Sequence, residues 1–200
     1  MKPLEETYGK SFFARRHKLS WRVPVVCDAV EKALDLNRKR KDKILDVGCA
    51  IGDYVQEFQE RGFISCGWEG SAEVRKYACT RISIVDIRDP LEKQFGVFWD
   101  ACISLEVAEH IEPEYATVFV KNLCMLSDKI LITAAPPGQG GHGHCNCQEK
   151  PYWENLFKEE GFFRSIAKEE IFKNTLAPFS HKKEVSVYSR NALIFLRFNG

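Results

Sequence analysis

The 200-residue sequence lacks most features that mark a specialised chain. Net charge is small, +1 at pH 7, so no whole-chain field draws it toward nucleic acid or an anionic membrane. No apolar run approaches the length of a membrane span. The opening residues, MKPLEETYGK, hold no apolar signal core. There is no internal repeat and no low-complexity segment. Cysteine is not scarce, but its eight positions show no spacing of a small disulfide-stapled domain. Most lie in apolar runs such as DACISL and NLCML, where they serve as small buried hydrophobes. A reducing, cytoplasmic setting is therefore expected. What remains is a chain of ordinary globular composition, long enough to bury its own core.

Its patterning has a clear order. VPVVCDAVEKALDL (23–36) has helical spacing, with Val26, Val30 and Ala33 on one face and Pro24 in the first turn. From Lys43 onward, short apolar strands alternate with helices. KILDVG, FISCGW, RISIVD, VFWDACISL, DKILITAA, FFRSI and NALIFLRF read as strands. GDYVQEFQERG, SAEVRKYA (Ser71 as N-cap), PEYATVFVKNLCML, PYWENLFKEEG and KEEIFKNTL read as helices. This alternation predicts an α/β fold with a largely parallel, doubly wound sheet covered on both faces. Ligands of such sheets sit beyond the carboxyl ends of the strands.

The loop after the first strand, LDVGCAIGD, has Gly48 and Gly52 for a tight turn. Measured against G-x-G-x-x-G, its second and third glycines are replaced by Ala50 and Asp53, and a carboxylate stands where pyrophosphate would sit. It also lacks the G-K-[ST] of a phosphate loop. Glu69 ends the second strand, 21 residues after Gly48, a spacing suited to accepting hydrogen bonds from ribose hydroxyls. Asp86 and Ile87, after the third strand, suit an adenine amino group and ring face. These residues point to a nucleoside ligand without a pyrophosphate.

Asp46, Gly48, Ala50 and Gly52, with GWEGS, VDIRD and ISLEVAEHI, resemble the class I S-adenosylmethionine-dependent methyltransferases over roughly residues 40–198. Ala50 departs from the usual middle glycine. The resemblance implies a Rossmann-like seven-stranded sheet of order 3-2-1-4-5-7-6 with the last strand antiparallel. It implies a helical N-terminal lid over residues 1–39 and a catalytic domain over 40–200. It implies S-adenosylmethionine held by Asp46, Gly48, Cys49, Ala50, Gly52, Glu69, Gly70, Asp86, Ile87, Ser104, Leu105 and Glu106. Lid residues Phe12, Phe13, Arg15, Arg16 and Trp21 are substrate-side candidates. Loss of Glu69 is expected to weaken cofactor binding while leaving ligand-free stability nearly unchanged.

The segment TAAPPGQGGHGHCNCQ (133–148) follows the fifth strand and so belongs to the site. Its His142, His144, Cys145 and Cys147 crowd within six residues, with no second ligand pair, so no structural metal is expected. Clustered glycines suit a loop that closes over an acceptor. His110, His142 and His144 are the candidate catalytic bases. The basic runs RRHK (15–18) and RKRK (38–41) read as solvated faces, without the aromatic ladder of a nucleic-acid site. The expected reaction is methyl transfer to a small-molecule or glycan acceptor, with oxygen the favoured atom. A non-catalytic methyltransferase-like module and a Rossmann-type NAD-dependent oxidoreductase are the alternatives.

Overall fold

The structure, a computed structural model, describes residues 19–92 and 98–198. The expected lid residues Phe12, Phe13, Arg15 and Arg16 lie outside them. After a turn at Ser20–Arg22 come α1 (Val23–Ala33), β1 (Lys43–Val47), α2 (Asp53–Glu60), β2 (Ile64–Glu69) and β3 (Ser83–Ile84). They are followed by β4 (Ala101–Leu105), α3 (Ala116–Leu126), β5 (Lys129–Thr133) and α4 (Lys150–Glu159). The chain then forms β6 (Phe162–Arg164), α5 (Ile166–Leu176), α6 (Lys183–Asn191) and β7 (Ala192–Arg197).

The sheet order is β3-β2-β1-β4-β5-β7-β6, as expected. β3, β2, β1, β4 and β5 pair in parallel, and β7 runs antiparallel to both β5 and β6. The central strands are continuous apolar runs because successive side chains enter two different cores. Ile44, Ile103 and Leu131 point into one face with Val30 of α1, Phe58 of α2, Phe172 of α5 and Val185 of α6. Leu45, Cys102, Ile130 and Ile132 point into the other, with Phe119 of α3 and Trp153 of α4. α1 packs against α5 and α2, with Val26, Val30 and Ala33 fully buried. Tyr54 and Tyr188 are also buried, and their hydroxyls satisfy each other across 3.1 Å.

Four local readings are corrected. Residues 71–78 form only a short 3₁₀ turn, Ala72–Lys76. Ser71 does not cap it: its hydroxyl is buried without a partner, while its amide donates to Glu69. The chain is then drawn away by the Cys79 amide bonding the Ile51 carbonyl at 2.9 Å, before a helix can extend. β3 is two residues rather than six, since only Ser83 and Ile84 find partners on β2. β4 begins at Ala101, with Trp99 making an isolated bridge to Ser127. α6 has no counterpart in the sequence reading: only Val185, Tyr188 and Asn191 of its nine residues are buried.

All cysteines in the described residues are free thiols, but Cys66, Cys79 and Cys145 are exposed rather than core-filling. In RKRK, Arg38 pairs with Glu31 and Arg40 with Asp42, as solvated-face charges do. No helix among the described residues is long and apolar enough to cross a membrane.

Trp153 is fully buried, with its ring edge against Phe119 at 6.4 Å and Tyr152 at 5.0 Å. Trp153→Ala is expected to cost about 3–5 kcal/mol through lost transfer energy and an unfilled cavity. Urea unfolding of the variant measures this directly.

Candidate active site

The switch point of the sheet lies between β1 and β4, where the strand order reverses. The chain turns there from β1 into α2. Gly48 has φ of +77°, and a Cβ on it would stand 2.4 Å from Val107 Cγ2, so no other residue fits without displacing the β4 loop. Ala50 also adopts a left-handed backbone, φ of +48°, unusual for a residue with a Cβ. Its amide donates to Glu69 Oε2 at 3.0 Å. Glu69 Oε1 accepts from the Ser71 amide, also at 3.0 Å. One carboxylate thus joins the turn after β1 to the turn after β2.

These turns open onto a cleft. Gly48, Ala50, Glu69, Gly70, Asp86, Ile87 and Glu106 line it, all expected at the site. His110 lines it too. Asp46, Cys49, Gly52, Ser104 and Leu105 are not on its wall. Ser104 is buried behind it, where its hydroxyl donates to the Val47 carbonyl at 2.9 Å and braces β4 against β1. Cys49 packs beneath Gly67, leaving no room for a Cβ there.

The sequence reading missed Val85, Arg88, Val107 and Ile111, which complete the walls. Arg88 is the most consequential. It is buried, and donates to both oxygens of Asp86, at 2.9 Å from Nε and 2.6 Å from Nη2, and to Glu112 at 3.0 Å from Nη1. Burial works to raise the Asp86 carboxyl, but the Arg88 bonds outweigh it and hold the pKa below its ordinary value. Asp86 therefore faces the cleft with much of its acceptor capacity already engaged. The signal for this lay two residues downstream, in the IRD triplet.

The remaining candidate residues come from the loops after β4 and β5. Glu106 has φ of +57°, and its amide donates to Thr133 Oγ1 at 2.7 Å. Its carboxylate accepts from Asn191 Nδ2 at 3.0 Å. Glu109 follows in the 3₁₀ turn Ala108–His110. It is fully buried, with the backbone amides of Glu109 and Ala135 and the Glu106 carboxyl group as its hydrogen-bonding neighbours. Burial first, and then the neighbouring Glu106 charge, push its pKa up to about 8. The Glu109 carbonyl accepts from the Cys145 and Asn146 amides, both at 3.0 Å, so the 133–148 loop closes onto this turn.

That closure brings two of the three expected histidines together. The His110 and His144 rings meet edge to face, centroids 4.8 Å apart. Burial lowers the His110 pKa to about 4, so its imidazole is neutral at physiological pH. His144 Nε2 lies 3.8 Å from Glu109 Oε1, while Nδ1 is 3.1 Å from the Gln139 carbonyl. His142 is exposed on the same loop.

No protein-family model and no curated protein sequence matches this chain. Solved structures do. The sugar N-methyltransferase of Streptoalloteichus superposes with a TM-score of 0.59 at 14% identity, over 88% of this chain and 86% of its own. The magnesium protoporphyrin IX methyltransferase of Synechocystis, solved with bound SAM, gives a TM-score of 0.54 at 18% identity, over 81% and 80%. This is the class I methyltransferase fold. The same fold also serves the 4+2 cyclase SpnF, similar at a TM-score of 0.54 and 13% identity, over 80% of this chain and 76% of that one. At such identities the likeness establishes architecture, and the reaction has to be argued from the site.

The Glu69 bonds revise one expectation. They exist without any ligand, so Glu69→Ala leaves the Ala50 and Ser71 amides without their acceptor. A loss of about 1–3 kcal/mol in ligand-free stability is expected, rather than none. Denaturant midpoints of the wild type and variant provide the comparison.

Proposed function

We propose that this chain binds S-adenosylmethionine in the cleft and transfers its methyl group to a small-molecule or sugar acceptor, with a hydroxyl oxygen as the favoured target. The observation that carries this reading is the Glu69 carboxylate bound to the Ala50 amide at the cleft wall. In a pyrophosphate-binding turn, amides at this place point at phosphate. Here the amide is taken by an anion, and a second carboxylate, Asp53, opens α2. Both disfavour a dinucleotide. A carboxylate offers about four acceptor positions, so it can hold ribose hydroxyls as well as backbone amides.

The remaining residues fit the same ligand. The backbone of Gly48–Ala50 would lie along the methionine part, Glu69 and Gly70 beside the ribose, and Val85 and Ile87 against the adenine ring. Asp86, fixed by Arg88, would accept from the amino group. The bound cofactor supplies an electrophilic methyl on a sulfonium. The protein's part is to align donor and acceptor and to exclude water. Glu106 and His110 line the cleft and His144 packs against His110, so an acceptor would lie beside them. The neutral His110 ring is ready to take a proton or to hold a polar acceptor atom.

Isothermal calorimetry tests this reading. S-adenosylmethionine and its demethylated product should bind, and NAD should not. His110→Ala and His144→Ala should keep cofactor affinity yet slow methyl transfer, by about 10²–10⁴-fold where the lost group takes the proton. Binding of NAD without S-adenosylmethionine would overturn the proposal.

A further inference from the structure

Loops after β4 and β5 converge on a cluster whose buried member, Glu109, has no part in the methyl-transfer reading. Glu109, His110 and His144 each offer a ligand atom, all within 4.8 Å of one another, the one such group among the described residues. They differ from the crowded HGHCNC set of the sequence. Two come from the β4 loop and one from the β5 loop, so the backbone approaches from two sides, as a coordination sphere requires.

We propose that Glu109, His110 and His144 form a binding site for one divalent transition-metal ion at the inner end of the cleft. The driving observation is Glu109. Its carboxyl group has no exposed surface and lies 3.8 Å from His144 Nε2; a charge buried there is costly, and a cation between the two groups offsets that cost. His144 is oriented for ligation. With Nδ1 3.1 Å from the Gln139 carbonyl, the tautomer that donates there leaves the Nε2 lone pair on the side of Glu109. A backbone carbonyl holding the distal nitrogen is the usual support for a metal-bound imidazole. Cys147 lies by the opposite edge, with Sγ 3.4 Å from Nδ1, so it supports the ring rather than joining the ligand set.

The loop is built around this imidazole. A Cβ on Gly141 would stand 2.0 Å from His144 Nε2, so only glycine leaves space for the ring in this position. First-row ions hold such ligands at about 2.0–2.2 Å, with ligand atoms roughly 3–3.5 Å apart. The Glu109–His144 separation of 3.8 Å closes to that spacing by a small movement of the His144 side chain. Two imidazole nitrogens and one carboxylate favour manganese, iron, cobalt or zinc over magnesium or calcium, which prefer oxygen. Three protein ligands leave coordination positions open. Because His110 lines the cleft, those positions suit an acceptor presenting a hydroxyl oxygen. This choice of acceptor rests on the proposed methyl transfer, whereas the ion site does not.

The test uses the full chain, stripped with a chelator and titrated with Co²⁺ alone, followed by calorimetry and visible absorption. One Co²⁺ per chain is expected, with ligand-field bands. Glu109→Gln, His110→Ala and His144→Ala should each weaken binding by roughly tenfold or more. Gly141→Ala should do the same by displacing the His144 ring, through a change in the exposed loop that leaves both cores intact. His181→Ala, in the turn before α6, should bind as the wild type does. Wild-type protein that takes up no Co²⁺, or Glu109→Gln and His144→Ala variants that bind it unchanged, would overturn the site. The titration contains no S-adenosylmethionine, so cobalt binding alongside failed cofactor binding would retain the ion site and reject the methyl-transfer reading.

Discussion

Glu69 occupies the position on which the rest of the cleft depends. Its two oxygens hold the amides of Ala50 and Ser71, and so fix the turns after β1 and β2 relative to each other. The bond to Ala50 also secures a backbone conformation that a residue with a Cβ rarely adopts, at a strain of about 1–2 kcal/mol. Gly48, two residues earlier, can then approach Val107 closely enough to bring the β4 loop into the same wall. A single acidic side chain thus shapes the pocket and places a carboxylate on its wall.

The other half of the site depends on a closure between distant loops. The Glu109 carbonyl receives two amides from the 133–148 loop, and Glu106 is anchored by Thr133 and Asn191. Asn191 ends α6, so a helix absent from the sequence reading reaches the acceptor end of the cleft. The histidines meet because these backbone bonds bring their loops together. The cleft lining is divided between polar or titratable groups, Glu106 and His110 among them, and the apolar side chains of Val85, Ile87, Val107 and Ile111. Such a division suits one ligand with a flat ring and another with a polar reacting atom.

Much of this architecture was legible in the residues. β1, β4 and β5 are short, largely apolar runs because both sheet faces are covered, and their loops were found by position alone. Glu69 was visible as the acid ending the second strand, and the sheet order followed from the resemblance carried by its turns. The remainder was hidden because it is set by distant contacts. Ser71 looked like a cap, yet its amide is claimed by Glu69 and its hydroxyl is buried. α6 carries few apolar residues and buries only Val185, Tyr188 and Asn191, so it passes for a polar loop. Glu109 was not singled out, since nothing in EVAEH shows that a loop more than thirty residues later will close onto it. The cluster with His144 is a product of that closure.

The central claim is that the Glu69 wall of this cleft receives a nucleoside bearing a thioether or sulfonium side chain. A crystal structure with S-adenosylhomocysteine tests it most directly. The account predicts ribose hydroxyls within hydrogen-bonding distance of Glu69, the adenine ring against Ile87, and the sulfur directed toward Glu106 and His110. Density for the ligand elsewhere on the protein, or a ribose that bypasses Glu69, would contradict it.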